Sequence, residues 1–152
     1  MLFSERLKGF QAAHPCQSIT VGGAQYRYVL AGNEGAQTLV LLNGGMNTLE
    51  MWMGYVDGLA DTGRVLLFDY PQQLRANQTL VAGMHAFFAA LKGKILLILP
   101  DQDFFSGQMQ QDLIRLMHEP EIRYVSGGHL STVLKTEDYI RTIRAFLAGQ
   151  PD

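Results

Sequence analysis

The stretch KILLILPDQDFF, residues 94–105, decides the fold. Ile95 to Leu99 is an unbroken run of branched aliphatic side chains, stopped by Pro100 and followed by Asp101 and Asp103. A short apolar run without polar alternation reads as a strand buried on both faces, the kind that parallel sheets contain. Pro100 ends it, because proline has no N–H to give to a ladder. Carboxylates just past such a strand lie at its C-terminal end, where open α/β sheets bind their ligands.

Reading outward toward the C-terminus, Met109, Leu113, Leu116 and Met117 mark a helix with Ser106 as candidate N-cap. Glu121–Val125 is a strand that runs into Ser126-Gly127-Gly128-His129, and Thr136 is placed to cap a last helix carrying Ile140, Ile143, Phe146 and Leu147. Toward the N-terminus, Leu80, Val81, Met84, Phe87, Phe88 and Leu91 form the apolar face of a helix. Before it, Arg64–Tyr70 is a buried strand stopped by Pro71, and Leu49–Ala60 is a helix with Trp52, Tyr55, Val56 and Leu59 at helical spacing and Asn47 or Thr48 as cap. Thr38–Leu42 is a further buried strand ending in Asn43-Gly44-Gly45, and Gln17–Gly22 with Gln25–Ala31 reads as a hairpin about Gly22-Gly23.

The order β-β-β-α-β-α-β-α-β-α predicts a three-layer αβα domain: a mostly parallel sheet covered on both faces, with an antiparallel hairpin at its start. The length of 152 residues suits one domain, 1–152, with enough buried surface to need no staples. Twelve Lys and Arg against 14 Asp and Glu give a net charge of −2, without a basic cluster. That balance argues against nucleic acid or an anionic membrane as partner. A single cysteine, Cys16, excludes an intrachain disulfide framework and any multi-cysteine metal site. His14, His85 and His118 lack metal-ligand spacing, so neither a metal nor another cofactor is expected. No apolar run approaches the roughly 20 residues of a membrane span, and MLFSERLKGFQAAHPCQ lacks the apolar segment of a signal peptide. A cytoplasmic location is the expectation.

Taken together, the strand ends resemble the α/β-hydrolase superfamily, over nearly the whole chain from about residue 18. TLVLLNGGMNTLEMW resembles the family's third strand and oxyanion loop, RVLLFDYP its fourth strand and the turn after it, and KILLILPDQDFF the penultimate strand with the triad acid just beyond. YVSGGHLSTVLKTEDYIRTIRAFL resembles the last strand, the Gly-His that delivers the triad histidine, and the closing helix. The resemblance implies Asp103 as acid, with Asp101 as the alternative, and His129 as the base. It implies Asn43, Gly44, Gly45 and Met46 as the oxyanion and substrate-binding loop, and a small ester- or amide-type carbonyl compound as substrate. Asn43 stands where the family usually has histidine, and the QQLRAN that follows Pro71 lacks the glycines many members carry.

The same resemblance calls for a nucleophile elbow, with small residues two positions to either side of a serine or cysteine. None is present. Ser106 is flanked by Phe104 and Gln108, Ser126 by Tyr124 and Gly128, and Ser131 by His129 and Val133, while Ser4, Ser18 and Cys16 precede the expected parallel strands. Asp101, a candidate aspartate nucleophile, has Leu99 and Asp103 at those positions. Leu91-Lys92-Gly93-Lys94 joins the helix that should precede the elbow directly to the strand that carries the acid. The sequence therefore reads as a truncated member with an internal excision near 91–94, lacking elbow and lid.

Four functional readings follow. A hydrolase by descent is weak or inactive without its nucleophile. A non-catalytic scaffold covers the surfaces left by the excision, for instance by homodimerisation. An Asp103–His129 pair acts as general base without a covalent intermediate. A nucleotide-binding module is the weakest reading, since Gly44-Gly45 and Asp69 stand where dinucleotide folds carry such residues but G-x-G-x-x-G is absent.

Overall fold

A computed structural model describes residues 2–34, 37–42, 48–70, 93–104, 107–117 and 119–150. The chain divides into two compact units, Met1–Asn77 and Gln78–Asp152. The expected helix over Leu80–Leu91, the junction up to Lys92 and the Ser106 cap lie outside the described residues.

The first unit begins with helix α1, Phe3–Ala13, an element that apolar periodicity does not announce because Phe10 is its single buried residue. Its start is closed locally, with Glu5 accepting the Leu2 N–H at 3.0 Å. Strands β1 (Gln17–Val21) and β2 (Ala24–Gly32) form the expected hairpin. Gly22 and Gly23 both have positive φ, 58° and 79°, as a two-residue type I′ turn requires. Strand β3 (Thr38–Leu41) is followed, after residues 43–47, by a 3₁₀ turn over Leu49–Trp52, helix α2 (Met53–Leu59) and strand β4 (Arg64–Phe68).

These strands form a mixed sheet in the order β1-β2-β4-β3. β2 pairs with β4 antiparallel, Tyr28 opposite Phe68, and β3 pairs with β4 parallel, Thr38 opposite Arg64. The antiparallel character thus extends one pairing beyond the hairpin. Val29, Val65 and Leu67 from the sheet and Leu49, Tyr55, Val56 and Leu59 from the helical segment are almost completely buried. Each large aliphatic residue so buried contributes roughly 1.5–3 kcal/mol. β4 buries Val65 and Leu67 while Arg64, Leu66 and Phe68 are half-buried, and Val40 of β3 is exposed. A continuous apolar run did not therefore demand equal burial of both faces, because periodicity is silent on that point. At the end of β2, Gly32 has φ +85°, and a Cβ there would lie 2.0 Å from the Gly63 carbonyl oxygen.

The second unit contains β5 (Leu96–Pro100), α3 (Gly107–Leu116), β6 (Glu121–Val125), the short helix α4 (Ser131–Leu134) and α5 (Thr136–Leu147). β5 and β6 are parallel and in register from Leu96 opposite Glu121 to Pro100 opposite Val125. Leu99 and Val125 of the strands and Tyr139, Ile140 and Ile143 of α5 are buried, consistent with the apolar stripe read from the sequence. Thr136 does not cap α5. Its hydroxyl turns back to the carbonyls of Thr132 and Val133, at 3.4 and 3.1 Å, and Lys135 holds the N-cap position. The far end of α5 closes on Gly149, φ +68°, with Gln150 N–H bonded to Ala145 O and Gly149 N–H to Phe146 O, a Schellman motif. Arg123 of β6, 2% exposed, donates to the carbonyls of Thr142 and Gln150 and to the Glu121 carboxylate, tying the strand to that helix end.

Candidate active site

Parallel pairing of β5 and β6 sets the geometry at their C-terminal ends. The ladder continues past both strands: Asp101 N–H donates to Val125 O at 3.1 Å and Gln102 N–H to Gly127 O at 2.9 Å. The two aspartates then part company. Asp101 accepts the Gly127 N–H at 2.7 Å through Oδ1, whereas Asp103 places Oδ2 3.3 Å from His129 Nδ1. Gly127, at φ +137°, lets the chain turn here, and a Cβ on it would approach the Ser131 Cβ to 3.0 Å.

The Asp103 side chain is 4% exposed and that of His129 49%. A buried carboxylate beside a half-exposed imidazole fixes the ring, since two facing acceptors would repel and Nδ1 therefore carries the proton toward Asp103. Nε2 is then the nitrogen left without a proton. The Phe104 ring lies against the imidazole with centroids 4.5 Å apart. Its only sequence signal is its place next to Asp103. Behind the turn, Ser131 and Tyr139 share a buried hydrogen bond of 2.8 Å between their hydroxyl oxygens. Their eight-residue spacing gives no motif by which sequence reasoning finds them. Burial raises the Tyr139 phenol above its ordinary value of 10.0, the Ser131 hydrogen bond opposes that rise, and the negative charge of Asp103 adds to it.

The loop residues Asn43, Gly44, Gly45 and Met46 lie outside the described residues. Their downstream flank is described. Asp69, just past β4, accepts the buried Leu49 N–H at 2.7 Å through Oδ1 and the Arg27 guanidinium at 3.1 Å through Oδ2. Arg27 reaches on to Glu50 at 2.8 Å. Thr48 occupies the N-cap position without a side-chain cap bond, so the start of the helical segment is capped by the next strand's aspartate rather than by a local residue. Hydrogen bonding to Glu50 raises the Arg27 pKa despite partial burial. Burial works against the Glu50 charge, but hydrogen bonds from Thr48 and Arg27 prevail and hold the carboxyl below its ordinary value. Among the described residues, no three His, Cys, Asp or Glu side chains cluster as metal ligands, and no helix is long and apolar enough to cross a membrane.

No protein-family model matches the sequence, and no curated protein does. Solved structures do match the fold. A predicted CIB-like hydrolase from Thermoplasma acidophilum superposes with a TM-score of 0.68 at 13% identity, covering 88% of this chain and 97% of that one. The carboxylesterase CesB from Bacillus subtilis gives 0.64 at 10% identity, with 98% of each chain covered. The thioesterase domain from the curacin biosynthetic pathway gives 0.57 at 9% identity, with 86% of this chain and 99% of that domain covered. All are α/β-hydrolase-fold proteins, and the β1-β2-β4-β3 sheet and parallel β5–β6 pair described above are therefore parts of an α/β-hydrolase fold.

Proposed function

We propose that this chain is a reduced α/β-hydrolase, of ester- or amide-hydrolysing descent, which keeps the acid and the histidine of a triad and has lost the nucleophile with an internal segment near residues 91–94. The observation that carries the reading is the 3.3 Å approach of His129 Nδ1 to the buried Asp103 carboxylate, each just beyond one of two adjacent parallel strands. Asp101 is the structural acid of the pair, occupied by the Gly127 amide. The similarity in fold to an esterase and a thioesterase domain supports a small carbonyl substrate class. Without an elbow, acyl transfer through a covalent serine is outside the capacity of this chain. Reaction with a fluorophosphonate probe, followed by intact mass, is expected to leave the protein unlabelled. Stoichiometric labelling would show a working nucleophile and overturn the reading.

The contrast in exposure between Asp103 and His129 favours a second reading, in which the pair acts alone. A half-exposed imidazole oriented by a buried carboxylate is arranged to draw a proton from a bound water or substrate. Slow hydrolysis of an activated aryl ester, abolished in His129→Ala and without a covalent adduct, is the expected result. Turnover unchanged in His129→Ala removes this reading.

A further inference from the structure

We propose that Ser131 and Tyr139 are positioning residues for the Asp103–His129 pair: their hydroxyl–hydroxyl bond locks the turn that presents His129 onto α5 and so sets which imidazole nitrogen carries the proton. The inference rests on the reading of Asp103 and His129 as a functional pair.

The two residues are 3% and 4% exposed, and their hydroxyl oxygens lie 2.8 Å apart. Ser131 stands two residues after His129, at the first position of α4, and its N–H donates to Gly128 O at 2.9 Å. Its Cβ is the atom that a side chain at Gly127 would meet, so the 127–131 turn closes directly on Ser131. Tyr139 lies in the first half of α5, whose Ile140 and Ile143 are buried in the same unit. A bond from Ser131 to Tyr139 therefore fastens the turn to a helix that is itself packed in place. Before His129 the turn is held by the Gly127 N–H to Asp101 and by the Gln102 N–H to the Gly127 carbonyl, and after it the Ser131 side chain ties the turn to α5. Burial is the main cause that raises the Tyr139 phenol, and the Asp103 charge adds to it. Placed as it is, the bond resists rotation of the turn, which would carry Nδ1 away from Oδ2.

Nitrogen-detected NMR of His129 at a pH where the ring is neutral tests this directly. The wild type is expected to hold the Nδ1–H tautomer, and Asp103→Asn to lose it. Tyr139→Phe and Ser131→Ala, which keep the packing volume, are each expected to shift the tautomer ratio toward Nε2–H by about threefold or more, the effect of forfeiting part of a hydrogen bond's net worth. Circular dichroism should remain that of the wild type. If Asp103→Asn alters the ratio and neither hydroxyl variant does, the positioning role is wrong and the pair stands. If Asp103→Asn leaves the ratio unchanged, the pair itself is wrong. Should both hydroxyl variants fail to fold, the wild type still decides the matter: a Ser131 or Tyr139 hydroxyl proton protected from exchange is required, and its absence overturns the proposal.

Discussion

The Asp69 carboxylate accepts the backbone N–H of Leu49, twenty residues earlier in the chain, at 2.7 Å in a buried setting. A strand end thus caps the helical segment that precedes it, and the same carboxylate receives Arg27. Asp69→Ala leaves the Leu49 N–H without this acceptor and should cost about 1–3 kcal/mol. Asp69→Asn keeps an oxygen for it and should cost less. Urea denaturation of the two variants checks the order, and equal losses would place the effect in the charge rather than the cap.

Acid should weaken the same cluster through Glu50. Its carboxyl sits below the ordinary 4.5 in the folded protein, so the unfolded chain takes up the proton first as pH falls. The stability it adds is fully present above that ordinary value and is lost as pH drops through the lowered folded value. Glu50→Gln should flatten the acid limb of stability below the ordinary carboxyl value of 4.5, as read by denaturant midpoints across falling pH. An unchanged limb would assign the acid sensitivity elsewhere.

Gly32→Ala is expected to be far more damaging than Gly22→Ala. Both glycines have positive φ, but a Cβ at Gly32 would meet the Gly63 and Ala60 carbonyl oxygens at 2.0 and 2.8 Å, while Gly22 faces open space. The Gly22 change should cost about 1–2 kcal/mol, the ordinary penalty of a left-handed L-residue. The Gly32 change adds displacement of backbone at the β2–β4 junction. Thermal denaturation of both variants provides the comparison, and similar melting temperatures would contradict it.

The two aspartates after β5 should separate experimentally. Asp101→Ala removes the acceptor of the Gly127 N–H and should lower stability by about 0.5–1.5 kcal/mol, an ordinary hydrogen bond at a solvent-facing site. Asp103→Asn should leave the melting temperature closer to that of the wild type and act instead on the orientation and tautomer of His129. Aryl ester hydrolysis measured beside thermal melts distinguishes the two. A reversal, with Asp101 governing turnover, would exchange their roles.

Much of this was legible in the sequence because the relevant signals are local. KILLIL followed by PDQD, and EIRYV followed by SGGH, place an acid and a histidine beyond strands, and the parallel register brings them together. Type I′ glycines likewise mark the hairpin. Which of Asp101 and Asp103 approaches His129 was not legible, since it depends on which carboxylate the Gly127 amide occupies. Helix α1 escaped because one buried residue makes no stripe. Thr136 misled because a hydroxyl before an apolar face looks like a cap, whereas here it bonds backward into α4. The remote cap from Asp69 and the Ser131–Tyr139 bond are tertiary, and no spacing rule encodes either.

The ladder that runs on past β5 and β6, Asp101 to Val125 and Gln102 to Gly127, makes the separation of the two chemical groups a property of main-chain pairing. Positions 103 and 129 follow one and two residues beyond the last of these bonds, so main-chain pairing sets where both side chains start, and the turn from Gly127 to Ser131 sets where the imidazole ends.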